Sequence, residues 1–560
     1  MKKLQQILQK LDRKSYGEYK SIKGIWGFDK FRLSIDYVQG DPFASPSRLS
    51  VSVSITDSGF NPNCWENPHR KIAFEDYLTR HFFINCEKLS KGNRGSGKSG
   101  LISISCNKQQ VLQRSSMLVS VNDIEARFIL GLPAAGRRIL AKEAQIMLFE
   151  ELPKIVKHTL FSESHDENFM YSHIECVEDQ AVLRESLAEQ NLVAFIGNNA
   201  VLPRRSGIDD RPLKQSALPF NSPSNLSCEI DLPNSGKNVG MGIPQGVTLI
   251  VGGGFHGKST LLNALERGVY NVLPGDGRER VVCDESAVKI RAEDGRSVDR
   301  VNISDFINHL PLGVDTTSFS TENASGSTSQ AANIVEAIQS GSTLLLIDED
   351  TSASNFMIRD ERMQALVVKD KEPITPLVQR VKSLYENKGI SSIIVMGGSG
   401  DYFGVSNLVL MLDEYRVFDV TEKAHELADK TLSIEKLPEL VLDSQQTRKP
   451  NLNLLSPKRG KHDMKFDVKD ITRINYGERK INLDRVEQLI DQGQSQAIAW
   501  IICRYQSSYY HDTVGLVEGI AQIFKKITED GLDWLADYKI GNIALPRQHE
   551  VLAAINRIRK

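Results

Sequence analysis

No two of the seven cysteines (Cys64, Cys86, Cys106, Cys176, Cys228, Cys283 and Cys503) form a C-x-x-C pair, so the chain spells neither a zinc site nor a disulfide framework. Scattered thiols of this kind suit a reducing compartment, and a cytoplasmic setting is the expectation. No stretch approaches the run of about 18 apolar residues that a membrane span needs. The mean hydropathy of -0.29 agrees, which excludes a transporter with fused membrane helices. The first residues, MKKLQQILQKLDRKSYGEYK, are charged throughout and lack the apolar segment of a signal peptide, so export is not expected. An excess of one charge sign is missing too: the net charge is -2 and the isoelectric point about 6.6. A polyanionic partner would have to be met by a local basic patch.

What is present starts with length. A chain of 560 residues exceeds what one hydrophobic core serves, and two to four domains are expected. Within 1–170, apolar and polar residues alternate at 31–37, 49–55, 101–105 and 117–121 before a helix-like run at 141–160, the pattern of an N-terminal α+β domain. Past a loop rich in proline, serine and asparagine at 212–233, apolar strands separated by helices suit a parallel sheet, and 171–446 reads as an α/β core. Residues 447–560 complete the chain. Their basic first part, 447–480, with Pro450 and Pro457 as breakers, reads as a linker into a small, mostly helical C-terminal domain, of which 483–504 has the clearest helical spacing.

Two segments match the phosphate-loop pattern G-x-x-x-x-G-K-[ST]. Such a loop works because successive backbone N–H groups wrap the phosphates while the following helix points its positive end at them, so it needs a strand before and a helix after. Gly252, Gly253, Gly254, Phe255, His256, Gly257, Lys258 and Ser259 have both: VTLIV at 247–251 reads as a buried strand, and TLLNALER from Thr260 as a helix start. The other match, Gly92 to Ser99, is followed by Gly100 and the strand-like LISIS, and is expected to be a basic turn that binds at most an anion.

The second half of such a site is a buried strand ending in carboxylates. LLLI at 344–347 followed by Asp348 and Glu349 supplies it. Asp348 and the Ser259 hydroxyl can hold Mg²⁺, and Glu349 can polarise the attacking water. Ahead of that strand, Ser325, Gly326 and Ser327 open a helical run, AANIVEAIQ, and a helix N-terminus with a hydroxyl is an anion site. Taken alone these three read equally well as an ordinary serine cap. Ser325 lies 23 residues before Asp348.

These segments together resemble the family described as predicted ATPases of the ABC class. The resemblance is carried by GMGIPQGVTLIVGGGFHGKSTLL, RAEDGRSV, ASGSTSQAANIVEAI and IDEDTSASNFMIRD, with QGDPFASPSR at 39–48 and RRSGIDDRPL at 204–213 as further parts. It implies an ABC-type P-loop NTPase core flanked by the two outer domains, ATP and Mg²⁺ as cofactors, Ser325 as the signature serine, and a site completed by a second copy. Since the chain has one set of motifs, a homodimer is implied, closed by ATP and released by hydrolysis. There are departures. Asp350 stands where proline is usual and Asn355 where aspartate is usual. The strand at 392–396 runs into Gly397-Gly398-Ser399-Gly400-Asp401 where the family pattern places a switch histidine, leaving Ser399, Asp401 or another group to sense the γ-phosphate and implying slow hydrolysis. Asn308 is the nearest candidate for the glutamine expected between the phosphate lysine and the signature.

What such a clamp would grip is suggested by charge. Arg448, Lys449, Lys458, Arg459, Lys461 and Lys465 begin a basic stretch suited to the phosphates of RNA or another nucleic acid, and Lys88, Lys91, Arg94 and Lys98 form a second cluster around the 92–99 turn. A solvated linker has the same composition. The alternative function is a partner-regulated ATPase acting on a protein complex; a subunit docking on a separate membrane protein and a small-molecule kinase fit the outer domains and the Ser-Gly turn less well.

Overall fold

Short apolar runs that must bury both faces become the inner strands of a parallel sheet, as VTLIV at 247–251, LLLI at 344–347 and IIV at 393–395 do. In the computed structural model, which describes residues 1–213, 215, 217–359, 372–428, 439–442, 448–450, 452–510 and 514–559, one six-stranded sheet has the order Val288–Ile290, Leu344–Asp348, Ser391–Val395, Val247–Gly252, Leu408–Asp413, Arg416–Asp419. All neighbours are parallel except the last pair. Leu344–Asp348 and Ser391–Val395 are buried along their whole length. The expected boundary at 446/447 and Asp360, the last residue of IDEDTSASNFMIRD, lie outside the described residues.

By its internal contacts the chain forms two units, Met1–Glu178 with Asp530–Leu545, and Asp179–Glu529 with Pro546–Lys560. The first holds an antiparallel sheet of Gly24–Gly27, Arg32–Tyr37, Ser47–Ser54, Asp123–Leu130 and Ile102–Ile104, with Met117–Val119 also on Asp123–Leu130 and the helix Pro68–Leu89 packed against it. In QGDPFASPSR the fully buried Gln39 side chain accepts from the Ser47 and Leu132 N–H groups at 3.3 Å, so this motif shapes a turn of that unit. The second unit holds the parallel sheet, an antiparallel sheet of Ser227–Leu232, Gly236–Pro244, Leu192–Gly197 and Val281–Cys283, and most of the C-terminal residues.

From Phe466 onward the stretch expected to be a linker is structured. Phe466–Val468, Arg473–Tyr476 and Arg479–Asn482 form an antiparallel meander in which Val468, Ile474, Tyr476 and Ile481 are buried. Strands of three or four residues give too few alternations to stand out among so many charges. The helices Gln492–Arg504, Leu516–Asp530 and Gln548–Asn556 follow.

A buried polar network ties the tail to the core within this unit. Arg557 donates to Glu293 (3.2 Å) and to Asn333, whose amide donates to Glu293 (3.1 Å), and Arg296 pairs with Glu336. Arg448 joins it, donating to the Asp299 carbonyl (3.1 Å), to Glu336 (3.4 Å) and to Asn556 (2.7 Å). Arg448 therefore leaves the set of nucleic-acid candidates: its guanidinium is committed inside the fold. Burial alone would raise the Glu293 carboxyl, but Arg557 and Arg296 outweigh it and hold the group below its ordinary value. A depressed carboxylate contributes stability at neutral pH that is lost as pH falls through its folded-state value. Arg557→Ala strands this carboxylate and should cost roughly 3–5 kcal/mol at neutral pH; the penalty should shrink below the ordinary carboxylate range. Urea denaturation at pH 7 and pH 4 tests this, and an equal penalty at both would refute it.

Candidate active site

The parallel register decides what meets at the carboxyl end of the sheet. Asp348 lies opposite Val395, and Val395 opposite Ile250, so the segments after 348, 395 and 250 emerge side by side. From Val247–Gly252 the chain turns through a loop with Gly252 at φ 139°, Phe255 at 64° and Gly257 at 98°, into the helix Lys258–Arg267. A Cβ on Gly252 would sit 2.3 Å from the Leu412 carbonyl oxygen, so only glycine fits there. None of the N–H groups of Gly253, Gly254, Phe255, His256 and Gly257 donates to a backbone carbonyl or side chain among the described residues. His256 Nδ1 instead accepts from Glu414 N at 2.9 Å. Lys258 Nζ donates to the Gly252 and Gly253 carbonyls at 2.7 and 2.8 Å. Ser259 is exposed and Thr260 half-buried on the first turn of the helix.

The 92–99 segment has the same pattern and the opposite structure. Most of its N–H groups are spent: Arg94 N on Ser99 O, Ser96 N on Ala134 O, Lys98 N on Pro42 O and Ser99 N on Ser96 O, at 2.8–3.2 Å, and Gly95 N on Asn93 Oδ1 at 3.0 Å. The chain continues into the strand Ile102–Ile104 with no helix behind the loop. Arg94 is buried between Glu143 and Glu151, which removes it from the second basic cluster. With most of its N–H groups spent and no helix dipole behind it, this loop is a packed structural turn.

Glu349 begins a single turn after its strand, and its Oε2 accepts from the main-chain N–H of Gly397 (2.6 Å) and of Gly398 (3.1 Å). A Cβ on Gly397 would lie 3.7 Å from Glu349 Oε2 and 3.8 Å from Lys258 Nζ, so the phosphate lysine, the carboxylate and this turn converge. Ser399 and Asp401 are occupied with each other: Ser399 Oγ donates to the Asp401 carboxylate and accepts from Asp401 N at 3.1 Å. Asp348 is buried at the strand end; burial raises its carboxyl above the ordinary range, offset in part by Lys289 with Nζ at 3.9 Å. A desolvated carboxylate so weakly compensated fits a divalent cation held through water.

Ser325 caps the helix Gly326–Gln339, its Oγ accepting from Thr328 N at 3.4 Å. Ser327 Oγ donates to Asn355 Oδ1 (2.8 Å), while Gln330 donates to Ser352 Oγ (3.0 Å) and accepts from Ala353 N (2.8 Å). No hydrogen bond among the described residues joins Ser325, Gly326 or Ser327 to residues 252–260. Asn308 lies apart as well, its amide donating to the Ser304 carbonyl. The segment beside Asp348 at the sheet end is instead the one following Val288–Ile290, that is Arg291 to Asp294 in RAEDGRSV, since Ile290 lies opposite Ile347.

Sequence reasoning missed an apolar cavity of about 300 Å³ next to the loop, lined by Leu202, Pro203, Phe220, Leu412 and Tyr415 together with Gly257 and Thr260. Its walls come from chain segments about 50 and 150 residues away from the loop. Only folding reveals them as one surface.

A mostly parallel sheet, a loop with free N–H groups ahead of a helix, and a carboxylate strand adjoining it define a P-loop nucleotide-binding protein. The model of a P-loop domain of ABC ATPases matches residues 166–447, that of the N-terminal domain of ATPases of the ABC class matches 1–163, and that of the MRB1590 C-terminal domain matches 465–560. The chain belongs to the ATPases of the ABC class. An uncharacterized protein of Methanocaldococcus jannaschii, MJ1628, is 31% identical over 261 residues, 44% of this chain and 57% of its own length, so the match spans a little over half of that relative. Among solved structures, cbiO1 from Clostridium perfringens, part of the ABC transporter complex cbiONQ, is similar at 14% identity over 41% of this chain and 87% of its own (TM-score 0.24). MJ1267, an ATP-binding cassette of an ABC transporter, is similar at 10% identity over 43% and 96% (TM-score 0.26).

The two loops give a paired prediction. Lys258→Ala should weaken ATP binding roughly 10- to 100-fold, the loss of one charge-assisted contact. Lys98→Ala should leave it within about 2-fold, since no helix N-terminus stands behind its loop and most of the loop's N–H groups are spent. Equilibrium dialysis with labelled ATP measures both, and a comparable loss in the Lys98 variant would restore the second loop as a site.

Proposed function

We propose that two copies of this chain close around MgATP and hydrolyse it, forming a nucleotide-driven clamp whose cargo is RNA. The observation that carries the dimer is the separation of the two half-sites: Lys258, Glu349 and the 397–398 turn gather at one place, while Ser325, Gly326 and Ser327 pack on their own helix, on Asn355 and on the segments at 292–294 and 353, with no hydrogen bond to residues 252–260 among the described residues. A second copy would bring the capped helix N-terminus to the γ-phosphate, bracketing its charge from both sides.

In this reading the free N–H groups of the loop and Lys258 bind the phosphates, and Ser259 with Asp348 would hold Mg²⁺, which supplies charge neutralisation on the phosphate oxygens when bound. The apolar cavity takes the base, with Tyr415 and Phe220 as flat surfaces for it. Glu349 takes a proton from water as the water oxygen bonds to the γ-phosphorus; the bond from that phosphorus to the bridging oxygen breaks, and ADP and inorganic phosphate leave.

The RNA reading rests on the meander. Arg459, Lys461 and Lys465 are exposed on the turn leading into its first strand and have no carboxylate partner among the described residues, whereas Lys458, Lys469 and Arg473 are paired with Asp463, Asp467 and Asp470. Lys449 lies next to Arg448, and its carbonyl accepts from Arg300. Three unneutralised side chains on one hairpin suit a phosphate backbone, read without base identity.

Light scattering of Glu349→Gln with and without MgATP tests the clamp, with labelled single-stranded RNA added at two salt concentrations. The expected outcome is an ATP-dependent dimer that retains RNA, with a salt slope near -2 for about three phosphate contacts. Lys461→Glu with Lys465→Glu should flatten that slope and leave dimerisation unchanged. A dimer indifferent to RNA and salt would make the cargo a protein complex; a monomer with ATP bound would end the composite-site reading.

A further inference from the structure

The strand Ser391–Val395 lies between the carboxylate strand and the phosphate-loop strand, hydrogen-bonded to both. Met396 extends it by one residue, its N–H donating to Ile250 O at 2.9 Å. The turn that follows therefore leaves the sheet between Glu349 and Lys258, and what it places there is main chain. Ser399 and Asp401, the side chains the sequence offers for sensing, are bonded to each other.

We propose that the Gly397 and Gly398 amides are positioning groups for the Glu349 carboxylate, and that they supply through the backbone the fixing that a side chain would otherwise provide. The proposal rests on the reading of Glu349 as the proton acceptor. Both amides donate to the same oxygen, Oε2, and no donor meets Oε1 among the described residues. Two donors on one oxygen fix the carboxyl plane and leave Oε1 as the atom that faces water. A proton acceptor gains rate from being held at the right distance and angle, and a displacement near 1 Å costs about 100-fold.

The two positions matter for different reasons. At 398 the steric margin is small: a Cβ would lie 3.2 Å from Oε1, so any side chain crowds the working oxygen. At 397 the Cβ position, 3.7 Å from Oε2, is ordinary contact, and only the N–H matters. Gly397→Ala and Gly397→Pro thus form a matched pair: both add a Cβ and only proline removes the donor. The preceding Met396 continues an extended strand, the conformation that proline imposes on its neighbour.

The test is single-turnover hydrolysis of MgATP by the full chain, with ATP affinity measured beside it, for Gly397→Ala, Gly397→Pro and Gly398→Ala, each alone and combined with Glu349→Gln. Gly397→Pro should turn over roughly 10- to 100-fold more slowly than Gly397→Ala, and Gly398→Ala should fall by a like factor from wild type, each with affinity within about 3-fold. In the Glu349→Gln background neither substitution should lower the residual rate further, because both act through the carboxylate. Equal rates for the alanine and proline variants at 397, or losses that multiply with Glu349→Gln, overturn the positioning role. Should Gly397→Pro fail to bind ATP, the Gly398→Ala cycle decides alone. If Glu349→Gln hydrolyses ATP like wild type, the proton-acceptor reading itself falls and takes this proposal with it.

Discussion

Everything chemical in this chain depends on three parallel strands being in register at one end. Backbone hydrogen bonds set Asp348 opposite Val395 and Val395 opposite Ile250, and a one-residue slip in either pairing would reverse which side chains face which layer. With the register fixed, three turns leave the sheet together and carry the phosphate loop, the carboxylates and a glycine pair to one place. Complete burial of the strands Leu344–Asp348 and Ser391–Val395 holds that register rigid, so the site's geometry is a property of the core more than of its loops.

Identical eight-residue patterns met opposite ends. In both 92–99 and 252–259 glycines allow left-handed backbone, and Gly97 and Gly257 both use it. The difference is where the N–H groups go. Around Arg94 the loop folds back on Ala134 and Pro42 and satisfies most of its donors, with two carboxylates locking the guanidinium. Around Gly254 the loop makes no such bonds, and its donors have no protein acceptor among the described residues. A pattern specifies which backbone angles are cheap, whereas the surrounding fold decides whether the donors remain free.

The parts legible in the sequence were those in which adjacent residues do the work: an apolar run before Gly252, four apolar residues before Asp348, and a serine opening a helix at Gly326. Parts assembled across the chain were not. Tyr415 and Phe220 share a cavity with Gly257 only after a hairpin and a loop converge. Asn308 looked suitable by order along the chain, yet sheet order puts RAEDGRSV beside Asp348 instead. The meander at 466–482 was hidden because its buried residues alternate with lysines and arginines over strands too short for periodicity to show. Arg448 read as part of a basic stretch because burial is not written in composition.

The helix Gly326–Gln339 and the carboxylate turn are mechanically one body. Gln330 holds Ser352 and Ala353 through both ends of its amide, Ser327 holds Asn355, and the Ser352 hydroxyl returns to the Asp348 carbonyl at 2.8 Å. Asn355 serves in this linkage as an acceptor for a hydroxyl, a task that needs no charge, which gives a physical reason why the amide suffices where aspartate is usual. Under the proposed closure, an anion arriving at the N-terminus of Gly326–Gln339 would load the same segment that carries Glu349, so occupancy of one half-site would bear on the carboxylate of the other. The glycine turn at 397–398 then acts as the fixed point against which that movement is made. Its donors belong to the central strand and not to the signature helix, so the carboxylate is held from one side and drawn from the other.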